Sequence, residues 1–421
     1  MIGSMAAQAE PAPILTFEEA RHLVETHAAE VRPRGKDLVE LLDAAGQVLA
    51  EPIVADRNFP PFRRATRDGY ALRAADLAQL PAKLEVIGEM KAGASPAESA
   101  IKVDAGQAAS IMTGAPVPEG ADAVVMVEYT SREGNSVSVA RGVASGDNLV
   151  PVGSEAERGE RLLEPGIRLD HAAIAVAASV GRAHLLVYSP PRIAVLSTGD
   201  ELVEIEVPPG PNQIRNSNSY SLAAQIKAAG GDPMLLPIAR DESLWLRELI
   251  TEGLESDLLL LTGGVSMGKY DLVEQVLAEF HAEFFFTGAQ IQPGKPIVFG
   301  RVPSGEDSGP TYFFGLPGNP VSTMVTFELF ARPMLEALAG MKPRKLAFLH
   351  ARLKSEIKTK TGLKRFLPAI LSGEFEQAEV ELARWQGSGD VAATARANCY
   401  IVIPPDRERI APGEWVAVLL K

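Results

Sequence analysis

The chain has 421 residues, a net charge of −13 and an apolar fraction of 46%. Its length predicts several folded domains, and its acidity argues against a nucleic-acid-binding surface. The single cysteine, Cys399, excludes an intramolecular disulfide and a cysteine zinc cluster, so we expect a reducing, cytoplasmic environment. We also expect no membrane association. No apolar run approaches the ~18 residues of a membrane-spanning helix, and Met1–Pro13 lacks the features of a signal peptide.

The first part of the chain predicts a helix followed by shorter elements. Thr16 and Glu19 have the spacing of a capping box, so a helix is expected to begin at Phe17. Short elements follow between residues 38 and 54. The segment 57–67 is a basic loop with two prolines, and it leads directly into Asp68-Gly69-Tyr70-Ala71.

Residues 84–139 contain short apolar strands between Gly, Pro, Asp and Asn turns, which predicts a small β-barrel. Residues 147–161 form a polar link. Asp170 is placed to cap an alanine-rich helix that stops at Gly181, and we expect this helix to pack back on the opening unit.

From Ile193 to about Leu338 the pattern alternates between strand and helix, which predicts a doubly wound α/β domain. The predicted strands are Ile193–Leu196, Pro233–Pro237, Asp257–Leu261, Glu283–Phe286, Ile297–Phe299 and Thr311–Phe314. The predicted helices are Ser219–Ala229, Asp241–Leu254, Leu272–Phe280 and Val321–Leu338. From Pro343 onward, short strands again suggest a β-barrel, with strands at Leu346–Leu353, Phe366–Leu371, Val380–Trp385, Cys399–Ile403 and Trp415–Leu420.

Polar loops that contain glycine follow three of the α/β strands. They are Ser197-Thr198-Gly199-Asp200-Glu201, Thr262-Gly263-Gly264 through Asp271, and Gly315-Leu316-Pro317-Gly318-Asn319-Pro320. In an open parallel sheet, ligands bind at the carboxyl ends of the strands. Gly and Pro also punctuate ordinary turns, but three such loops at one edge favour a site.

These loops suit a phosphorylated substrate. Glycines allow successive N–H groups to converge on an anion, so Gly263, Gly264 and Ser266 are candidate phosphate ligands. Asn319 as N-cap and Pro320 as first helical residue predict a second anion site at a helix N-terminus. An acid such as Asp271, directly after the glycine turn, can hold a metal ion or orient a hydroxyl group.

An ordered set of motifs resembles the molybdopterin molybdenumtransferase family, to which the E domain of gephyrin is related. The resemblance covers about Thr16 to Leu420. Its motifs are Asp68-Gly69-Tyr70-Ala71, Met112-Thr113-Gly114-Ala115-Pro116, Ser197-Thr198-Gly199-Asp200-Glu201, Arg240-Asp241, Gly263-Gly264-Val265-Ser266-Met267-Gly268 with Asp271, Pro293-Gly294-Lys295-Pro296, Gly315-Leu316-Pro317-Gly318-Asn319-Pro320-Val321-Ser322 and Gln386-Gly387-Ser388-Gly389. Each motif is weak by itself, whereas the set in this order is specific.

The resemblance implies a multi-domain α/β architecture with four parts. They are a split N-terminal domain (14–58 plus 148–190), an inserted β-barrel (59–147), the α/β molybdopterin-binding domain (191–340) and a C-terminal β-barrel (343–421). It also implies a homodimer whose site lies between the α/β domain of one subunit and the insertion of the other.

The resemblance further implies the chemistry. Adenylylated molybdopterin and molybdate are the expected substrates: molybdenum joins the dithiolene sulfurs, the phosphoanhydride is cleaved to release AMP, and Mg²⁺ assists. The implied catalytic residues are Asp68, Thr113, Glu155, Glu201, Asp241 and Asp271, of which Asp241 and Asp271 are also the implied metal ligands. The implied substrate-binding residues are Ser197, Thr198, Gly199, Gly263, Gly264, Ser266, Lys295, Pro317, Gly318, Asn319, Pro320, Ser322 and Ser388. Molybdate is expected near three residues of this set, Lys295, Ser322 and Ser388, and near Pro296.

Several of these acids also have ordinary structural explanations. Asp241 is well placed as an N-cap, and Asp68-Gly69 is also a hairpin signal. Turn N–H groups can satisfy Glu201. Glu155 stands where the family has an aspartate.

Two positions of the expected oxyanion subsite depart from the family pattern. Gln292 stands where a lysine is common, and Pro368 stands where an arginine is expected. We hypothesise that Arg63, Arg64 and Arg67 make up the missing positive charge.

Two other functions fit parts of the sequence. The α/β domain also resembles the molybdopterin adenylyltransferase, which is a possible partner as well, and AMP transfer from ATP would identify that activity. A non-catalytic scaffold is the second alternative, against which the joint presence of Asp68, Asp241 and Asp271 argues. The sequence does not separate molybdate from tungstate.

Overall fold

The computed structural model describes residues 12–93, 95, 100–240, 242–264, 272–303 and 309–421.

Capping residues set the starts of the first two helices. Helix α1 (Phe17–Ala28) begins with the predicted capping box, in which Thr16 N donates to Glu19 Oε2 at 2.9 Å and Glu19 N donates to Thr16 Oγ1 at 3.3 Å. Helix α2 (His171–Ser179) is capped by Asp170, as predicted. The later helices are α3 (Ser217–Ala229), α4 (Ser243–Leu254), α5 (Leu272–Glu279), α6 (Pro320–Thr326), α7 (Arg332–Leu338) and α8 (Val391–Arg396), with a π-helical turn at Phe327–Ala331.

The central sheet confirms the predicted α/β domain. Its strands lie in the order Asp232–Leu235, Arg192–Ser197, Leu258–Thr262, Thr311–Leu316, Val298–Val302, Glu283–Phe286. The first four are parallel, while Val298–Val302 is antiparallel to both of its neighbours. The three strands that precede the glycine loops are therefore adjacent and end at the same edge of the sheet.

Helices cover both faces of this sheet, which makes it doubly wound. On one face, Ile193, Val195, Leu258 and Leu260 pack in a buried cluster with α1, α3, α6 and α7. On the other face, the alternate strand residues pack with α4 and α5; these residues are Ala194, Leu196, Leu259 and Leu261. Alternation of buried residues between two covered faces explains why the strands have nearly continuous apolar sequences.

Short ribbons join the segments on either side of the inserted sheet. Lys36–Glu40 pairs with His184–Tyr188, Ile53–Val54 with Arg161–Leu163, and Arg64–Ala65 with Leu149–Val150. Helix α2 packs on this unit, in one cluster with Ala44, Leu49 and Ile53. Helix α1, in contrast, packs in the α/β core. The exact division of the chain into domains stays a prediction.

The inserted sheet is a curled half-barrel rather than a closed barrel. Its order is Ala123–Met126, Gly69–Leu72, Gln107–Ile111, Ala82–Met90, Ser136–Val139, Thr130–Glu133. The two edge strands follow each other in the chain, separated only by the 3₁₀ turn Val127–Tyr129. No pairing joins these two edge strands among the described residues, so the sheet stays open.

The C-terminal sheet does close. Its strands run in the order Lys364–Ser372, Glu379–Leu382, Phe348–Leu353, Trp415–Leu420, Cys399–Ile403, and the last pairs with the first to form a five-stranded barrel. All five lie where the sequence predicted strands. Ile291–Gln292 adds to the barrel in parallel with Lys364–Ser372, which ties the barrel to the chain of the α/β domain. Among the described residues, none of the helices combines the length and hydropathy of a membrane crossing.

Candidate functional site

One cavity lies at the carboxyl edge of the central sheet. Its volume is about 670 Å³, within the ~300–1,000 Å³ that is common for small-molecule sites. The three glycine loops line it together, with Thr198, Gly199, Glu201, Gly263, Gly264, Pro317, Gly318, Asn319 and Pro320. The sequence predicted that the loops after these parallel strands form a site at one edge of the sheet, and they do line one continuous cavity.

The double glycine is required by a close approach of two loops. Gly263 and Gly264 have φ of +87° and +61°, in the left-handed region that other residues avoid. A Cβ on Gly263 would lie 2.4 Å from Thr198 O, and one on Gly264 would lie 2.6 Å from Thr198 Oγ1. The Gly263 N–H donates to Leu316 O at 3.4 Å, so it is directed at the neighbouring strand.

In the first loop, Gly199 also adopts a backbone conformation that favours glycine, but it lies against a flexible side chain instead of another loop. Its φ is +142°, and a Cβ there would lie 2.5 Å from Glu201 Oε2. The Glu201 carboxylate thus lies against the backbone of its own turn while it lines the cavity.

A segment that the sequence analysis missed also lines the cavity. It runs from Ile214 through Asn218, at the start of α3. Asn218 Nδ2 donates to Thr262 Oγ1 at 3.0 Å and to Gly318 O at 2.8 Å, which joins the second and third loops. Asn216, a good N-cap residue after a predicted loop, was the available signal.

Two buried polar atoms beside the cavity are left unpaired by the described residues. Thr198 Oγ1 and Asn218 Oδ1 are buried and have no hydrogen-bond partner in the part of the chain that the structure describes. Buried polar atoms are normally paired, so each is a candidate ligand-binding atom.

Ser197 does not line the cavity. Its side chain is fully buried, and its Oγ lies 2.8 Å from Ser219 Oγ and 3.1 Å from Asn216 Oδ1. This buried cluster fixes the start of α3 against the first strand. Ser197 thus holds the lining residue Asn216 in place without lining the cavity itself.

The third loop ends in the predicted helix start, with one difference. Pro320 is the first residue of α6 and Asn319 occupies the N-cap position, but the Asn319 side chain makes no capping hydrogen bond. The Val321 N–H donates to Ser388 O at 3.0 Å. The Gln386–Gly389 loop of the C-terminal barrel thus lies over the N-terminus of α6, and Gly389 lines the cavity.

The structure places the other residues expected around the oxyanion in different surroundings. Pro296 lines the cavity, Lys295 is exposed, and the side chain of Ser322 is buried within α6. A Cβ on Gly294 would lie 2.3 Å from Thr326 Cγ2, so the Pro293–Pro296 loop packs tightly on α6.

Asp68, Thr113 and Glu155 do not line this cavity in the described part of the subunit. Asp68 Oδ1 accepts hydrogen bonds from Thr113 N at 2.6 Å and Thr113 Oγ1 at 2.8 Å. These two bonds lower the pKa of the exposed Asp68 carboxyl below its ordinary value. Glu155 is paired with Arg64 instead.

Asp241, Ser266 and Asp271 lie outside the described residues. Helix α4 has Glu242 at its N-cap position, and α5 begins at Leu272, directly after Asp271. Within the described ranges, no three His, Cys, Asp or Glu side chains form a group that could hold a metal ion.

Known proteins match the chain over almost its whole length. Residues 15–181 match the MoeA N-terminal region (domain I and II), residues 194–337 a probable molybdopterin binding domain, and residues 350–421 the MoeA C-terminal region (domain IV). Molybdopterin molybdenumtransferase from Nostoc sp. is 35% identical over 393 residues, which cover 91% of this chain and 88% of the relative. The chain belongs to the molybdopterin molybdenumtransferase family.

Other members of the family agree with this assignment. Molybdopterin molybdenumtransferase from Bacillus subtilis is 33% identical over 91% of this chain and 89% of its own length. The crystal structure of the molybdopterin biosynthesis moeA protein from Pyrococcus horikoshii OT3 superimposes with a TM-score of 0.78 at 29% identity, covering 97% of this chain and 100% of that one. The arrangement of half-barrel, α/β domain and closed barrel is therefore a family fold.

In this member of the molybdopterin molybdenumtransferase family, the side chain of Gln292 has a partner in the C-terminal barrel. Gln292 Oε1 accepts a hydrogen bond from Arg365 Nε at 2.8 Å, between strands in direct register. Arg365 is only 5% exposed, and burial lowers the pKa of its guanidinium. A lysine at position 292 would place a second positive charge beside the buried guanidinium of Arg365.

Proposed function

We propose that the protein inserts molybdate into adenylylated molybdopterin and releases AMP. The observation that carries the proposal is the single cavity in which the three glycine loops meet, with the C-terminal barrel loop at its rim. The family assignment supports it, since the relatives are named molybdopterin molybdenumtransferase.

The phosphates are proposed to bind at the second and third loops. Gly263 N–H and Val321 N–H are already bonded to backbone carbonyls, so the phosphate contacts fall to Gly264, Ser266 and the turn Pro317–Pro320. Gly264, which has a positive φ and lines the cavity, is the glycine of the second loop that is proposed to donate to the phosphates.

The pterin is proposed to bind at the first loop and the start of α3. Its amide and amine groups need hydrogen-bond acceptors as well as donors. Glu201 supplies a carboxylate, while Thr198 Oγ1 and Asn218 Oδ1 supply two oxygens that have no hydrogen-bond partner among the described residues.

Molybdate is proposed to bind between the Pro293–Pro296 loop, α6 and Ser388. Lys295 supplies positive charge to the oxyanion, and Arg365 adds to it through its place beside Gln292. Ser388 completes the proposed set, while Ser322, whose side chain is buried within α6, is proposed to support this wall of the site. The hypothesis that Arg64 makes up the missing charge loses support, because its guanidinium is paired with Glu155.

Mg²⁺ is the proposed cofactor, with Asp241 and Asp271 as its protein ligands. The cavity wall offers carboxylate, hydroxyl and amide oxygens, which is the donor set that Mg²⁺ prefers. One or two carboxylates suffice, since water and phosphate oxygens complete its coordination. When bound, the ion would neutralise charge that develops on the phosphoanhydride.

The proposed active form is a homodimer. Asp68, Thr113 and Glu155 belong to the half-barrel and its link, away from the cavity lining, so a second subunit is proposed to bring them to it. A mixed dimer tests this: one subunit carries Asp68→Asn and the other Asp271→Asn. About half of the wild-type activity is expected, because one of its two sites is intact. Complete inactivity of the mixed dimer would contradict a shared site.

We also propose that the protein acts in the cytoplasm and receives its substrate from a molybdopterin adenylyltransferase. The enzyme that attaches AMP to molybdopterin must precede this reaction. Co-purification or substrate transfer between the two proteins would test the contact.

AMP release from adenylylated molybdopterin tests the function directly. Turnover is expected with Mg²⁺ and molybdate, and Asp271→Asn is expected to reduce it by about 10²–10³, which is typical for loss of one electrostatic group. Parallel reactions with tungstate determine the oxyanion preference. Formation of adenylylated molybdopterin from ATP and molybdopterin would identify an adenylyltransferase, and inactivity in both assays would favour a scaffold.

A further inference from the structure

The short strand Arg64–Ala65 joins the segments that carry three candidate residues. It pairs antiparallel with Leu149–Val150 of the link that leads to Glu155. On its other side, Arg64 forms a bridge with Pro116, and Ala65 exchanges hydrogen bonds with the Gly114–Ala115 segment that follows Thr113. Asp68 follows three residues after the strand. The backbone at Arg64 therefore lies at the junction of all three segments.

The side chain of Arg64 reaches across this junction to Glu155. Arg64 Nη2 donates to Glu155 Oε1 at 2.5 Å, although the residues are 91 positions apart in sequence. The guanidinium head and the carboxylate are 41% and 51% exposed, respectively. Arg64 Nε, nearer the backbone, is buried and has no hydrogen-bond partner within the described ranges. An unpaired buried Nε–H is unfavourable, so another interaction must offset it. The ion pair with Glu155 is the interaction that can do so.

We propose that Arg64 is a positioning residue that orients the Glu155 carboxylate and offsets its charge. The inference rests on the proposed function, because Glu155 acts on substrate only in that reaction. It goes beyond that function, since it assigns Arg64 to the orientation of Glu155. Arg64 is thereby no longer counted among the residues that would bind the oxyanion.

Charge offset matters because the substrate is a polyanion. Asp68 is held in its ionised form by Thr113, and Glu155 adds a second carboxylate in the same junction. Two unpaired carboxylates would repel the phosphates of the substrate. The guanidinium cancels one of these charges and holds one oxygen of Glu155 in a fixed direction.

Because the ion pair is exposed, an effect of its loss on activity can be distinguished from an effect on folding stability. Ion pairs this accessible add little to stability, so removing the guanidinium is expected to change the melting temperature by no more than about 2 °C. Activity, in contrast, depends on the orientation of the reacting groups, for which small displacements are costly.

A double-mutant cycle tests the coupling. Arg64→Met retains the apolar stem and is expected to lower kcat/KM for AMP release by about tenfold or more. Arg64→Lys restores the charge and is expected to recover most of this loss, within about threefold of wild type. The double variant Arg64→Met with Glu155→Gln is expected to be no slower than Glu155→Gln alone. Arg57→Met, an exposed arginine of the same segment, is the matched control.

Two outcomes of this cycle would overturn the proposal. Multiplicative losses in the double variant would mean that Arg64 acts independently of Glu155. Wild-type activity of Arg64→Met would show that the guanidinium is not needed, and wild-type activity of Glu155→Gln would leave no acid for Arg64 to position.

Crystal structures of wild type and Arg64→Met separate this inference from the proposed function. The Glu155 carboxylate is expected to keep one orientation in the wild type and to lose it in the variant. An unchanged, ordered Glu155 in Arg64→Met refutes the positioning role, whichever reaction the site performs. Absence of AMP release by the wild type refutes the function but not the orientation.

Discussion

Thr113 holds the carboxylate of Asp68 through two hydrogen bonds to one oxygen, from its backbone N–H at 2.6 Å and its hydroxyl at 2.8 Å. The two residues are 45 positions apart and meet because the strand Gly69–Leu72 pairs with Gln107–Ile111. Asp68 and Thr113, proposed separately as catalytic residues, therefore form one unit.

Thr113→Val is expected to shift the acid limb of the pH–activity profile upward. The hydroxyl stabilises ionised Asp68 and so lowers its pKa; its loss raises that pKa, although the N–H bond remains. Activity that needs ionised Asp68 would then be lost at a higher pH than in the wild type, while the rate at neutral pH changes less. Thr251→Val, on the exposed face of α4, is the control. An acid limb at the wild-type pH in Thr113→Val would contradict the role of Asp68.

Gly263→Ala is expected to abolish AMP release and to destabilise the α/β domain. The new Cβ would lie 2.4 Å from Thr198 O, so the first two loops must separate. Gly46→Ala is a matched control, because its φ of +81° imposes similar backbone strain with no atom within 4 Å of the new Cβ. Strain alone costs about 1–2 kcal/mol. Equal melting temperatures of the two variants would contradict the close approach.

Ser197→Ala is expected to lower stability by about 1–3 kcal/mol, because a buried polar cluster with Asn216 and Ser219 loses a member. Substrate KM should change little, since the hydroxyl is turned away from the cavity. Chemical denaturation and steady-state kinetics measure the two effects. A large rise in KM without loss of stability would restore the direct substrate contact that the sequence suggested.

Lys295→Ala is expected to raise the molybdate concentration required for half-maximal activity more than it weakens binding of the adenylylated pterin. The ammonium group is a point charge suited to a small oxyanion. Lys360→Ala removes an exposed lysine of the C-terminal barrel and serves as the control. Equal loss of both affinities would assign Lys295 to the phosphates instead.

Gln292→Lys, which introduces the residue that the family resemblance led us to expect, is expected to destabilise this protein by about 1–3 kcal/mol. It removes the hydrogen bond to buried Arg365 and adds a like charge beside it. Gln377→Lys, at an exposed position, is the control. Combining Gln292→Lys with Arg365→Leu should recover stability; unchanged stability of the single variant would show that Arg365 tolerates a second cation.

The sequence determined the local elements with good accuracy because their signals are local. Thr16 with Glu19, Asp170 and Pro320 each set a helix start through bonds or geometry within four residues. Apolar strands followed by glycine loops predicted the cavity edge, since parallel strands of one sheet end together. The family motifs added the order of the domains and the candidate residues.

Contacts between distant segments were decided only by the tertiary structure. Nothing local distinguishes Ser197, which faces a buried cluster, from Thr198, which faces the cavity; the pleat turns neighbouring side chains to opposite sides. Likewise, Arg64 meets Glu155, and Gln292 meets Arg365, across 91 and 73 positions of sequence. Such pairings depend on strand register, which the packing of whole sheets fixes. The sequence therefore determined which residue types were available for the site, while the fold decided which of them meet.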